Sequence, residues 1–181
     1  YATPELTWGL ILSLARQIPK EDRLLRDGGY WQTTVGIGLE GRTLGILGLG
    51  RLGVPVAKIG LAFGMNVIAW SPNLTQERAA EDGVTSVSKE ALFSEADFIT
   101  LHMPLSDRSR GIVGAEDLAH MKSTSFLINT SRGPLVDEAA LIKALEENAI
   151  AGAGLDVYDV EPLPLDHALR RLENTVLTPH L

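Results

Sequence analysis

An α/β fold, a doubly wound parallel sheet with helices on both faces, is what this sequence predicts, and two patterns predict it. From Arg42 onward, short apolar runs alternate with stretches of helical periodicity, the order that parallel strands and their crossover helices require. The runs are mostly apolar instead of alternating with polar residues, as strands covered on both faces tend to be. Size agrees: 181 residues with 45% hydrophobic and 22% charged side chains suit one domain with a substantial buried core.

The first helix is expected over residues 3–16, with Thr3 as N-cap, Pro4 in the first turn, and Leu6, Leu10 and Leu14 recurring at helical spacing. Pro19 is expected to end it. Residues 27–41, rich in Gly and Thr and holding Tyr30 and Trp31, read as an irregular connector. Strands are placed at residues 43–47, 66–70, 98–101, 126–129, 152–155 and 176–177, and the clearest helices between them at 52–63, 75–82, 89–94, 115–119 and 138–148. No internal repeat or low-complexity segment is visible. The chain thus divides into a linking helix (residues 1–18) and a sheet-bearing core (residues 42–181). It begins at Tyr1 and stops directly after Pro179 and His180, and is read as cut from something longer.

Composition narrows the function classes. The net charge of −7 and the lack of clustered Lys and Arg argue against a nucleic-acid partner. No apolar run approaches the ~20 residues of a membrane span, and the chain is read as cytoplasmic. The absence of cysteine removes disulfides, thiolate metal sites and cysteine nucleophiles. No metal site is expected.

Gly48-Leu49-Gly50-Arg51-Leu52-Gly53 is a G-x-G-x-x-G between an expected strand and an expected helix, the context that separates a dinucleotide fingerprint from glycines that only make turns. Gly48 allows the tight turn, Gly50 lets backbone approach a pyrophosphate, and Gly53 permits close packing of helix on strand. The helix N-terminus, from Leu52, offers N–H groups and positive partial charge, and Arg51 adds a charge-assisted contact. The fold is therefore expected to be Rossmann-type. The second strand ends in Ser71, where a carboxylate for the ribose 2′-OH is usual. Ser71, Asn73 or the more distant Arg78 can donate to a 2′-phosphate, so NAD or NADP is expected. Ser71 capping a turn before Pro72, with NAD bound through other groups, is the competing account.

Three ionisable residues follow expected strands: Arg132 in Asn-Thr-Ser-Arg-Gly-Pro, Glu161 before Pro162, and His180 after Pro179. All three fall at the carboxyl edge of the sheet, where ligands bind in open α/β folds. Singly, each reads as a surface residue. Together they suit hydride transfer to a 2-keto acid: a planar cation for the carboxylate, a proton donor that titrates near neutrality, and a carboxylate to orient it.

With these residues in place, the sequence resembles the cofactor domain of the D-isomer-specific 2-hydroxyacid dehydrogenases. The matching stretches are Gly48 to Gly53, Leu101-His102-Met103-Pro104-Leu105, residues 129–138, residues 154–162 and Thr178-Pro179-His180. The resemblance implies that Arg132 binds substrate, Glu161 supports His180, and His180 is the acid/base. It implies that Asp156 holds the nicotinamide carboxamide and that backbone near Thr130 and His102 lines the cofactor, with Pro104 and Ser131 in the same set. In that family an N-terminal substrate domain and a returning C-terminal segment complete the site, and both are expected to be absent here. The chain alone is then expected to bind dinucleotide weakly and turn over little. Leu6, Leu10 and Leu14, on an arm with little of its own domain to cover, suggest a dimer contact or a domain interface, and the linking helix implies a homodimer in the longer protein. Substrate is a small 2-keto or 2-hydroxy acid; a non-catalytic NAD(H)-sensing interaction protein of the corepressor kind is the alternative. An S-adenosyl ligand would leave Arg132, Glu161 and His180 without a common role.

Overall fold

The computed structural model describes residues 2–181. Seven parallel strands form one sheet in the order β3-β2-β1-β4-β5-β6-β7: β1 (Thr43–Leu47), β2 (Asn66–Trp70), β3 (Thr85–Ser86), β4 (Phe98–Leu101), β5 (Phe126–Asn129), β6 (Gly152–Leu155) and β7 (Thr175–Leu177). Helices α1 (Ala2–Arg16), α2 (Ile18–Arg26), α3 (Gly53–Ala62), α4 (Gln76–Ala80), α5 (Lys89–Glu95), α6 (Ala115–His120) and α7 (Glu138–Glu146) precede or link them. The doubly wound fold expected from sequence is the one formed. Five strands keep their expected bounds, and β7 gains Thr175.

Successive residues of a strand serve opposite faces, so each strand feeds two cores. Ile99, Leu101, Leu127 and Leu155 join a cluster with Leu92, Phe93, Leu141 and Leu145. Leu44, Ile46, Phe98 and Ile128 join the other with Leu10, Ile11, Leu14 and Val56. Register aligns Leu47 with Leu101, Leu101 with Asn129, Asn129 with Leu155, and Leu155 with Leu177. The loops that leave these positions therefore meet at one edge. The sheet order reverses between β1 and β4, the switch point where a crevice opens.

The start of the chain corrects three expectations. The helix is already running at Ala2, so Thr3 is not an N-cap; its carbonyl accepts from Thr7 Oγ1 at 2.9 Å. Pro19 does not end the helical region. Gln17 breaks it in the left-handed conformation, φ 55°, and Pro19 sits in the first turn of α2, where its missing N–H costs nothing. Nor is α1 an arm with little of its own domain to cover. Leu10 and Leu14 are buried, packed on β6 where Gly154 leaves room: a Cβ there would lie 3.1 Å from Leu10 Cβ and 3.2 Å from Leu14 Cδ1. Each such leucine contributes about 2 kcal/mol by burial, which binds α1 to the sheet.

Candidate active site

The phosphate loop follows β1 directly. Gly48 has φ 104°, and a Cβ on it would stand 2.7 Å from the His102 carbonyl oxygen, so only glycine fits both the backbone angle and the contact. Gly53 opens α3 against the carbonyl of Gly48, where a side chain would collide. Gly50, by contrast, is exposed, and a Cβ there would meet nothing within 4 Å. The loop thus has a packed side and an open side, and the open side lies at the N-terminus of α3, where the Val54 N–H donates to the Gly50 carbonyl at 3.0 Å and the helix end carries positive partial charge. A pyrophosphate fits that surface by chemistry and by space. Leu52, where the helix was expected to start, is instead its N-cap, the helix beginning one residue later at Gly53, and Arg51 is exposed beside it.

Ser71 closes the loop from β2: its Oγ accepts from Leu49 N–H at 3.3 Å. Its own proton stays available to a ligand. Asn73 is exposed. Arg78 donates to Asp82 at 2.7 Å and pairs with Glu81, so its charge is drawn to its own helix.

At the end of β4, His102 continues the strand pairing, its N–H donating to the Leu47 carbonyl at 2.8 Å. Its side chain is buried, and among the described residues neither ring nitrogen has a partner. Burial pushes its pKa down to about 4, so the ring is neutral across the physiological range. Pro104, two residues on, is exposed.

The loop after β5 is held from four directions. Asn129 Nδ2 donates to the Arg132 carbonyl at 2.9 Å while its Oδ1 accepts from Ser131 N–H at 3.0 Å. Ser131 Oγ donates to the Met103 carbonyl at 2.7 Å, tying this loop to the one after β4. Thr130 Oγ1 lies 2.8 Å from Thr7 Oγ1 on α1. Because the Thr7 proton is committed to the Thr3 carbonyl, Thr130 is the donor in that pair. On the fourth side Gly133 lies flat on the backbone of Tyr158, where a Cβ would fall on the Tyr158 carbonyl. Arg132 itself is exposed, with Nη1 donating to the Ser131 carbonyl at 2.6 Å.

The loops after β6 and β7 supply the remaining groups. Asp156 is buried, and its Oδ1 accepts from Thr178 Oγ1 at 2.7 Å and from Leu181 N–H at 3.0 Å. Glu161 Oε1 accepts from Tyr158 N–H at 3.0 Å, and Oε2 lies 2.6 Å from Nδ1 of His180. His180 has φ 55°, a left-handed conformation that is uncommon for a residue with a side chain and costs about 1–2 kcal/mol. The hydrogen bond from His180 is the main cause that holds the Glu161 carboxyl below its ordinary range, with the Tyr158 N–H and the Arg132 charge helping against desolvation. A cavity of about 550 Å³ adjoins the pair, lined also by Leu163, Leu177 and Arg170.

Glu161 and His180 thus touch, Arg132 is near enough for its charge to act on Glu161, and Ser71, His102, Thr130, Ser131 and Asp156 all stand at this edge. Asn73 makes none of the contacts described. Sequence reasoning did not single out Tyr158 or Thr7, whose contacts reach Thr178 and Thr130, 20 and 123 residues away. No motif signals such a pairing. Among the described residues no cluster of His, Asp and Glu could hold a metal, and no helix is long and apolar enough to cross a membrane.

Comparison with known proteins identifies the family and agrees with the fold. Residues 8–181 match the family model described as D-isomer specific 2-hydroxyacid dehydrogenase, NAD binding domain. A glyoxylate reductase of Aeropyrum pernix is 44% identical over 187 residues, covering 99% of this chain and 56% of that protein. The solved phosphoglycerate oxidoreductase of Vibrio cholerae superposes with a TM-score of 0.95 at 39% identity, over 100% of this chain and 59% of that one. The NAD-complexed D-isomer specific 2-hydroxyacid dehydrogenase of Lactobacillus delbrueckii superposes with a TM-score of 0.85 at 32% identity, over 99% and 59%. The chain spans a little over half the length of these relatives. It belongs to the D-isomer specific 2-hydroxyacid dehydrogenase family and corresponds to the NAD binding domain of that family.

Proposed function

We propose that this domain binds a nicotinamide dinucleotide along the open side of the phosphate loop and interconverts a small 2-keto acid and its 2-hydroxy acid. The observation that carries the reading is the 2.6 Å contact between His180 Nδ1 and Glu161 Oε2, at the same sheet edge as Gly50. When bound, the nicotinamide supplies or takes up the hydride. Glu161, ionised, accepts the Nδ1 proton of His180 and so fixes the tautomer. Nε2 is then the nitrogen that gives a proton to the carbonyl oxygen in reduction or takes one from the hydroxyl in oxidation. Arg132 offers a planar fork for the substrate carboxylate. Asp156 keeps one carboxylate oxygen for the carboxamide, since Oδ1 is occupied by Thr178 and Leu181.

Gly48, Gly50, Arg51, Leu52 and Gly53 would cradle the pyrophosphate, Ser71 and Asn73 would face the adenosine ribose, and His102, Pro104, Thr130 and Ser131 would line the nicotinamide half. Ser71, a neutral donor in place of a carboxylate, supports acceptance of NADP beside NAD. The names of the Aeropyrum and Vibrio relatives point to glyoxylate or a phosphorylated three-carbon acid as first substrates to try. We also propose a homodimer, and move its contact from the buried leucines of α1 to α2 and the connector after it, where Ile18, Leu25, Tyr30, Trp31 and Val35 are exposed. A cytoplasmic location belongs to the same proposal.

The test is keto-acid reduction with NADH and NADPH, in the longest form of the protein that the coding sequence gives. His180→Ala is expected to lower kcat by a factor of about 100 or more, the usual worth of a general acid. A variant that keeps the parent rate would sink the assignment.

A further inference from the structure

Tyr158 is bonded to, or packed on, the support of all three proposed catalytic residues. Its backbone N–H holds Glu161 Oε1 at 3.0 Å. Its backbone carbonyl is the surface on which Gly133 rests, one residue from Arg132. Its hydroxyl donates to the Thr178 carbonyl at 2.9 Å, two residues before His180, and shares the same proton with the Leu155 carbonyl at 3.1 Å. The side chain is buried, and burial together with the Asp156 charge pushes the phenol up to about 12, so it is a donor at every pH the protein meets.

We propose that Tyr158 is the positioning residue of this site, its hydroxyl fixing the 178–180 turn so that the His180 ring meets Glu161; the proposal rests on the reading of His180 as acid and base. The reason is geometric. His180 stands in a left-handed conformation, whose cost of about 1–2 kcal/mol is offset by bonds that hold the turn. Asp156 pins the Thr178 hydroxyl and the Leu181 N–H, and β6 pins the Thr178 N–H through the Leu155 carbonyl at 2.9 Å. Those bonds fix the turn on one side; the bond from Tyr158 to the Thr178 carbonyl sets the orientation of the peptide that leads into Pro179 and His180. The same residue then presents the N–H that aims Glu161. One hydroxyl and one amide on a single residue set the two halves of the His180–Glu161 contact against each other.

Tyr158→Phe isolates the hydroxyl, because the ring, the amide and the contact with Gly133 all remain. In the longest form of the protein, it is expected to lower kcat about tenfold, less than loss of the acid itself, while the KM for keto acid and the Kd for NADH stay within twofold. A merely structural role would move Kd and thermal stability along with kcat. The second readout needs no activity: the Nδ1 proton of His180, assigned by its loss in His180→Ala, should give a slowly exchanging downfield signal in the parent and a broadened one in Tyr158→Phe. An unchanged kcat with an unchanged signal overturns the proposal. Parent activity in His180→Ala overturns the reading beneath it, and the signal alone then decides whether Tyr158 orients the ring.

Discussion

Replacing His102 by leucine should make the protein less sensitive to acid. The imidazole is buried at the end of β4 with both nitrogens unpartnered among the described residues, and desolvation lowers its pKa from 6.5 to about 4. Between those values the unfolded chain binds a proton that the folded chain does not. Stability therefore falls as pH is lowered through 6.5 and levels off below about 4. The whole gap is worth about 3 kcal/mol, of which about 2 kcal/mol is lost between pH of about 7.5 and about 5. Leucine fills a similar volume, carries no unpaired polar atom, and does not titrate, so at neutral pH the His102→Leu variant should match or exceed the parent. Urea unfolding of both proteins at the two pH values, without added dinucleotide, gives four free energies. Other titrating groups cancel in the parent-to-variant difference, leaving about 2 kcal/mol that opens in favour of the variant on acidification. A difference that does not change with pH would refute the neutral, unpaired imidazole.

Other outcomes follow from close contacts and from charge. Gly133→Ala should lower activity at least tenfold and cost about 1–3 kcal/mol of stability, because the new methyl falls on the Tyr158 carbonyl and backbone on both sides must part; kinetics with urea unfolding checks both, and parent values in each would show that the loops do not touch. Ser71→Asp should lower the kcat/KM ratio of NADPH to NADH about tenfold or more by repelling the 2′-phosphate; an unchanged ratio would place the adenosine ribose away from the end of β2.

The strands were legible from sequence because burial on both faces leaves them mostly apolar, so Phe98 to Leu101 and Phe126 to Asn129 could be bounded to the residue. The phosphate loop was legible because two of its three glycines answer local demands, a left-handed angle at Gly48 and close backbone at Gly53. Short elements without periodicity were not: β3 has two residues, and α2 has no buried residue to mark it. At Pro19 one residue type serves two ends of a helix, and only the left-handed Gln17 tells which. The leucines of α1 showed an apolar face but not its partner, which is the glycine-bearing β6 about 140 residues away.

By itself, then, the sequence determined six of the seven strands, the position of the phosphate loop, and the fact that Arg132, Glu161 and His180 follow strands that end at one edge. These depend on spacing along the chain. The tertiary structure alone decided the atoms and the 2.6 Å distance at which His180 meets Glu161, that Thr7 holds Thr130, and that Tyr158 stands between the loops of Arg132, Glu161 and His180. These depend on which strands are neighbours, and neighbours in a doubly wound sheet are set by crossover connections and by the burial of both faces, which no local pattern encodes.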